Sequence, residues 1–226
     1  KILLFTDWYA PGFKGGGPIR SAVNFAREMS SDYDIYIFTA DRDLGDTKPY
    51  DDIEADTWIR KENMHIFYAS PQWLGWRNIK NLIRTTGPDF IYLNSMYSRY
   101  FTIYPLLLYS LGKVSSQIIL APRGMLQEGA MQYKTGKKKL FLGVLRNIRI
   151  LKNVHAHATD EQEKKDISIQ LSGISSVKVI PNFSAPVQTY QATMKNMGEI
   201  NLIFISRISS KKNLIFLLTV LGRVTG

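Results

Sequence analysis

The feature that most constrains the fold is a regular alternation of short apolar runs with longer stretches of helical periodicity. The apolar runs predict strands over KILLFTD (1–7), DIYIFTA (34–40), DFIYLN (89–94), SQIILAP (116–122), VHAHAT (154–159) and VKVIP (177–181), with a short strand pair around Asn63. Helices are predicted over 18–29, 74–86, 99–111, about 136–152 and 160–172. Strands that are apolar throughout need cover on both sides, so this order predicts an α/β fold: a Rossmann-like parallel sheet with helices on both faces.

Sheets of this kind bind ligands beyond the carboxyl ends of their strands, near the point where the strand order reverses. Polar residues at strand ends are therefore candidates for binding. Asn94 and Ser95 end one predicted strand, Arg123 follows the next, and residues 159–161 follow a third. Thr159 or Asp160 is expected to cap the helix that comes after it. For Arg123, a structural salt bridge is the alternative to ligand binding.

The periodic pattern of apolar residues is lost near residue 184. Residues 185–199 show no strong apolar period and are predicted to be a linker. A fresh strand is predicted over 201–207 and a fresh helix over 211–224. The sequence therefore predicts a first domain over 1–184 and, over 200–226, the first strand and helix of a truncated second Rossmann-like domain.

Three consecutive glycines, Gly15, Gly16 and Gly17, lie between the first predicted strand and the first helix. Glycine permits positive φ angles, and a helix N-terminus attracts anions, so this loop predicts a phosphate-bearing ligand. A flexible surface loop is the alternative. The dinucleotide fingerprint fits poorly, because its third glycine position is Arg20 and the loop is long for that fold. The P-loop ending in Gly-Lys-Ser/Thr is absent from the sequence.

Composition and charge exclude several classes of function. The sequence contains no cysteine, which removes disulfides, thiolate zinc sites and thiol catalysis. No apolar run approaches the length of a membrane span. The net charge is +10, and residues 123–152 carry eight basic side chains against one acidic one. The basic helix 137–152 suits an anionic membrane surface or a phosphorylated substrate, and a solvated helix face is the alternative.

Five motifs in the same order resemble the GT-B-fold glycosyltransferases of family 4. They are the glycine-rich loop with its following Pro-x-Arg-Ser, LAPRGML (120–126), HATDEQEKKDI (157–167), VKVIPNF (177–183) and FISRISSKKNL (204–214). The resemblance implies a retaining transferase that uses a nucleotide-sugar donor. It also implies two Rossmann-like domains, the first holding the acceptor and the second the donor.

The same resemblance implies roles for individual residues. Arg207 and Lys212 correspond to the family's catalytic pair, which binds the donor diphosphate and stabilises the leaving phosphate. Arg207 ends the last predicted strand, Lys212 follows five residues later in the first turn of the next helix, and both side chains suit phosphate oxygens. Gly15, Gly16 and Gly17 are predicted to contact the donor. The predicted acceptor-binding residues are Arg20, Asn94 and Arg123.

Two patterns that resemble metal sites are interpreted otherwise. Asp32-x-Asp34 and Asp41-x-Asp43 match the D-x-D motif of the other major glycosyltransferase fold, but GT-B enzymes generally need no such metal. His155 and His157 would share one face of a strand without a plausible third ligand. We therefore expect no metal and no cofactor besides the nucleotide sugar.

The leading hypothesis is the amino-terminal portion of a glycosyltransferase for bacterial surface polysaccharide, acting on a glycan or lipid-linked acceptor. We expect a cytoplasmic location, peripheral on the inner face of the membrane, and no activity from this fragment alone. The alternatives are a dinucleotide-dependent oxidoreductase domain and a basic nucleic-acid-binding module. The second is disfavoured because no recognised nucleic-acid motif is present and few aromatic residues lie within the basic segment.

Overall fold

The computed structural model describes residues 1–127, 142–143, 150–185, 197–198, 200–205 and 212–224. The chain divides into two compact units, Lys1–Pro186 and Val187–Gly226. The first unit contains all the described strands and most of the described helices. Within the second, the described regular element is one helix.

The elements of the first unit alternate along the chain as the sequence predicts. In order they are β1 (Ile2–Phe5), α1 (Gly17–Met29), β2 (Ile35–Ala40), β3 (Trp58–Lys61), β4 (Met64–Ala69), α2 (Trp76–Thr86), β5 (Phe90–Leu93), a π-helical turn (Arg99–Ile103), α3 (Tyr104–Ser110), β6 (Gln117–Leu120), β7 (Val154–Ala158), α4 (Glu161–Gln170) and β8 (Ser176–Val179).

The strands form one sheet in the order β3-β4-β2-β1-β5-β6-β7-β8. Every described pairing is parallel except that of β3 with β4, the strand pair predicted around Asn63. Phe5 at the end of β1 is in register with Phe38 of β2 on one side and Leu93 of β5 on the other. The strand order therefore reverses between β1 and β5, and their carboxyl ends meet there.

Successive side chains of the strands pack alternately into two separate hydrophobic cores, one on each face of the sheet. Leu3 and Phe5 of β1 point into a core that includes buried side chains of α2, α3 and α4. Ile2 and Leu4 point into the other core, which α1 covers with Ala22, Phe25 and Ala26. The α/β class, the Rossmann-like sheet and the helices on both faces are confirmed.

Sequence and structure differ in the details of some elements. The predicted helix over 99–111 begins with a π-helical turn, and the helix predicted from residue 74 begins at Trp76. Most of the predicted basic helix and of the linker lie outside the described residues.

In the second unit, the strand predicted over 201–207 is not formed over 201–205, and its last two residues lie outside the described part. Helix α5 (Leu214–Val224) corresponds to the helix predicted over 211–224. Within the described residues, no helix has both the length and the apolar character required to cross a membrane.

Candidate functional site

The candidate site lies at the carboxyl edge of the sheet, around the turn that follows β6. In this turn Arg123 and Gly124 both have positive φ angles, 54° and 71°. The Met125 amide donates to the Pro122 carbonyl at 3.1 Å and closes the turn. A non-glycine residue with positive φ is strained by about 1–2 kcal/mol, and such strain persists only where the surroundings impose it. The contacts of the Arg123 side chain must therefore hold its backbone in this conformation.

The Arg123 guanidinium is held by three neutral acceptors. Its Nε donates to Asn94 Oδ1 at 2.7 Å, one terminal nitrogen to Asn182 Oδ1 at 2.5 Å, and the other to the Tyr92 hydroxyl at 3.0 Å. Among the described residues, no carboxylate forms an ion pair with it. The side chain is thus fixed in orientation while its charge is not directly neutralised.

Tyr92 continues this network into the sheet. Its hydroxyl, which accepts from Arg123, contacts His157 Nδ1, and His157 Nε2 lies 2.7 Å from the Ile180 carbonyl. A carbonyl can only accept, so Nε2 carries the proton and Nδ1 accepts from Tyr92. Burial lowers the pKa of His157 and raises the pKa of Tyr92 to about 12. Both groups are neutral near pH 7, so the hydrogen bonds from Arg123 through Tyr92 to His157 bring no counter-ion to the guanidinium.

The carboxylate of Glu163 also holds this turn in place through hydrogen bonds. Its side chain is almost fully buried, with 1% exposed, and one oxygen accepts from the Gly124 amide at 2.6 Å. The other oxygen accepts from both the amide and the hydroxyl of Thr159, each at 2.7 Å. The carboxylate therefore joins the turn after β6 to the start of α4. The predicted helix cap is confirmed, since Asp160 accepts from the Glu163 amide.

Asn94 is a structural partner of Arg123. It is buried, and its amide nitrogen donates to the Pro18 carbonyl at 3.2 Å and to Thr6 Oγ1 at 3.4 Å. Its oxygen accepts from Arg123. Both polar atoms of its side chain are thus engaged within the protein, and it ties the start of α1 to the ends of β1 and β5.

The glycine-rich loop already binds a carboxylate of the chain. Asp43 Oδ2 accepts from the amides of Phe13 at 2.7 Å and Lys14 at 2.9 Å, and Oδ1 accepts from the Leu44 amide. Burial alone would raise the pKa of Asp43, but these amides and that of Gly15 lower it below its usual value. Asp43, one half of a D-x-D pattern, thus serves as an internal anion.

The three glycines differ in their backbone requirements. Gly16 precedes α1 and has φ 66°, which favours glycine. A Cβ on Gly15 would approach Ile19 at 3.0 Å and Trp8 at 3.2 Å. Gly17 lacks a positive φ, and a Cβ there would meet nothing within 4 Å. Gly16 is therefore the residue of the three whose positive φ makes the turn, and donor contact by the loop stays a prediction.

Two of the remaining predicted cations, Arg20 and Lys212, lie in the described part of the chain, and the third does not. Arg20 is exposed in the first turns of α1, and no described residue forms a hydrogen bond or ion pair with its side chain. Lys212 is exposed just before α5 in the second unit. Arg207 lies outside the described residues, so the pairing of Arg207 with Lys212 stays a prediction.

The side chains that resembled metal ligands have other partners. Asp41 pairs with Arg42 at 2.7 Å, and His155 Nδ1 lies 2.8 Å from Ser176 Oγ. No cluster of three or more His, Cys, Asp or Glu side chains placed to hold a metal ion occurs in the described part of the chain.

Two carboxylates of this edge were not singled out by sequence reasoning. Glu163 could have been found from the Asp-x-x-Glu spacing over 160–163, which is typical of a helix start. Asp7 ends the run KILLFTD at the central strand. Burial raises the pKa of Asp7, while interactions with the hydroxyls of Ser98 and Ser95 lower it to a smaller extent.

Comparison with models of known protein families finds no match, and comparison with curated proteins finds no significant match. The resemblance of the motifs to family 4 glycosyltransferases therefore stays a prediction from the sequence.

Proposed function

We propose that this chain is the acceptor-side portion of a nucleotide-sugar-dependent glycosyltransferase, and that Arg123 binds an anionic group of the substrate. One observation carries the proposal. A strained arginine after β6, hydrogen-bonded to Asn94 at the end of neighbouring β5, is held by three neutral acceptors, with no described carboxylate paired to it.

The geometry supports anion binding for a physical reason. Holding an arginine in a fixed orientation beforehand reduces the entropy cost of binding, and a guanidinium matches phosphate oxygens. Asn94, Asn182 and Tyr92 supply that orientation without adding negative charge. A phosphate group would find a preoriented cation at the edge where ligands of this fold class bind.

Asp43 occupies the first amides of the glycine-rich loop, which weighs against the oxidoreductase alternative. In dinucleotide-binding domains the corresponding loop and helix N-terminus bind the pyrophosphate. Here Asp43 uses the amides of Phe13 and Lys14, so an anionic ligand at those amides would have to displace a buried carboxylate.

The donor side of the reaction is assigned to Arg207 and Lys212 on the strength of the motif resemblance. In the proposed reaction they stabilise the negative charge that develops on the departing diphosphate, without a metal. The basic stretch 137–152 is assigned to an anionic membrane surface. Sedimentation with anionic but not neutral vesicles, weakening as salt rises, is the expected result; equal binding to both kinds would contradict it.

The test of the proposed function measures sugar transfer by the full-length protein from a panel of nucleotide sugars to a lipid extract. Arg123→Gln should lower kcat/KM on the order of a hundredfold, as expected when a charged transition-state contact is lost. Arg84→Gln is the matched control, because Arg84 is exposed in the last turn of α2, just before the amino end of β5. Transfer by the Arg123 variant at the wild-type rate would exclude this role.

A further inference from the structure

Asp7 occupies the reversal point of the sheet. It follows β1 by two residues, and because Phe5 is in register with Leu93, it comes beside Ser95 at the end of β5. Its side chain is half-buried, so part of it remains accessible from solvent. The position is the one at which ligands of parallel α/β sheets bind.

Two hydroxyl groups lie near the Asp7 carboxylate. The Ser98 and Ser95 side chains both interact with it. None of the residues that the structure describes forms an ion pair with Asp7. An ionised carboxylate offers about four acceptor positions, so two hydroxyl donors leave acceptor capacity unused.

The number of hydroxyl hydrogens that can be donated to Asp7 is smaller than the number of nearby hydroxyl groups. Thr102 donates its hydrogen to the Ser95 carbonyl at 3.0 Å, so the 3.2 Å contact between the two hydroxyls requires Ser95 to donate to Thr102. The Ser95 hydrogen therefore cannot serve both Thr102 and Asp7. Ser98 accepts from the Phe101 amide at 3.3 Å, and this bond leaves its own hydroxyl hydrogen available to Asp7.

Asp7 and Arg123 are attached to the same two strand ends. Arg123 contacts Asn94, and Asn94 contacts Thr6, the residue before Asp7. Thr6 and Asn94 lie towards α1, because Asn94 also bonds to the Pro18 carbonyl. Successive side chains point to opposite faces, so Asp7 turns towards the π-helical turn instead. The edge thus presents a cation on one face and a hydrogen-bond acceptor on the other.

We propose that Asp7 binds a hydroxyl group of a ligand whose phosphate lies on Arg123, and that this ligand is a sugar phosphate. The proposal rests on the proposed function and names the class of its acceptor: a sugar that carries phosphate rather than a neutral glycan. A phosphate alone would satisfy Arg123, and a neutral sugar alone would satisfy Asp7. A ligand with both groups uses the two side chains together.

The test measures binding to the purified chain by titration calorimetry. The probes are inorganic phosphate, glucose 1-phosphate, galactose 1-phosphate and uridine monophosphate. Asp7→Asn keeps the shape of the side chain and removes its charge. It should weaken at least one sugar phosphate about tenfold, the usual effect of losing a hydrogen bond to a charged group, and leave inorganic phosphate within twofold. Arg123→Gln should weaken all four probes.

The control is Asp34→Asn, an exposed carboxylate just before the amino end of β2, which should change no affinity. Thermal unfolding of each variant confirms that the fold persists. Unchanged sugar-phosphate affinity in Asp7→Asn, with phosphate still dependent on Arg123, overturns this proposal alone. Dependence on Asp7 for uridine monophosphate only identifies a nucleotide and also overturns it. If no probe binds the wild-type chain, both this proposal and the anion site at Arg123 are wrong.

Discussion

The glycine-rich loop and the Arg123 turn are both sharp turns at the carboxyl edge of the sheet, but their charges are arranged in opposite ways. In the loop, backbone amides of Phe13 and Lys14 surround the carboxylate of Asp43. In the turn, a guanidinium donates to three neutral oxygens, and the carboxylate of Glu163 accepts from the neighbouring Gly124 amide instead. A loop whose composition is typical of anion binding is thus filled by the protein itself, and the arginine keeps its charge.

The comparison shows that an anion-binding pattern does not reveal where the anion comes from. Backbone amides that converge in a turn favour any carboxylate or phosphate within reach. An internal carboxylate loses less entropy on binding than a free ligand does, because folding has already positioned it. A charged side chain without a counter-ion is therefore the better indicator of ligand binding at this edge.

The largest expected effect comes from the carboxylate beneath the Arg123 turn. Glu163→Gln would turn an amide N–H₂ group towards a buried backbone donor and remove charge-assisted bonds, so the free energy of unfolding should fall by about 3 kcal/mol. Urea unfolding measures it. Glu161→Gln is the control, since Glu161 is exposed on the same helix and pairs only with exposed Lys164, a contact expected to contribute less than about 0.5 kcal/mol. Equal losses in the two variants would show that Glu163 does not hold the turn.

Removing the carboxylate of Asp43 should leave the glycine-rich loop with an empty anion site and so remove its contrast with the Arg123 turn. Asp43→Ala would leave the amides of Phe13 and Lys14 without their acceptor and should destabilise the protein by about 2 kcal/mol. Inorganic phosphate is also expected to bind at Arg123, so it should stabilise wild type and every variant that keeps Arg123. The added stabilisation should be larger in Asp43→Ala than in wild type or in Asp46→Ala, which breaks an exposed ion pair with Lys14 and leaves Asp43 in place. Thermal unfolding with and without phosphate measures both effects. A variant as stable as wild type would mean that the loop does not depend on Asp43.

Acid should weaken the two regions in different pH windows. Burial lowers the pKa of His157, so the unfolded chain binds the proton more readily, and stability should fall as the pH drops below the ordinary value of 6.5. Asp43 also has a lowered pKa, but a carboxylate of this kind stabilises the fold above its ordinary value of 3.8 and loses that contribution only at lower pH.

Unfolding free energies from pH 7.5 to 3 would separate the two groups. His157→Gln should flatten the decline that begins near pH 6.5, and Asp43→Asn should alter the profile only below about pH 4. Superimposable profiles of wild type and His157→Gln above pH 5 would contradict the assignment for His157.

The smallest effect concerns the glycines themselves. Gly16→Ala forces an L-residue into positive φ and should cost about 1 kcal/mol. Gly17→Ala places a methyl group in open space at the start of α1 and should stabilise the protein by up to about 0.5 kcal/mol. Thermal unfolding of the pair would test the difference, and a reversed order would mean that the turn lies at Gly17.

Some parts of the candidate site could be read from local pattern. Strand ends pointed to Asn94 and Arg123, and the Asp160 cap followed from residue type and position. Asp7 and Glu163 were missed because a single carboxylate after a strand, or in the first turn of a helix, is common on protein surfaces. Their burial and partners distinguish them, and neither is a local property of the sequence.

By itself the sequence determined the order of strands and helices and the α/β class, because apolar periodicity is local and survives in any parallel sheet with cover on both faces. Only the tertiary structure decided which charges are neutralised. Asp43 reaches the glycine-rich loop across 29 residues, and Arg123 meets Asn182 across 59. Contacts over such separations depend on how the strands are ordered in the sheet, and that order places a filled anion site and an unpaired cation at the same edge.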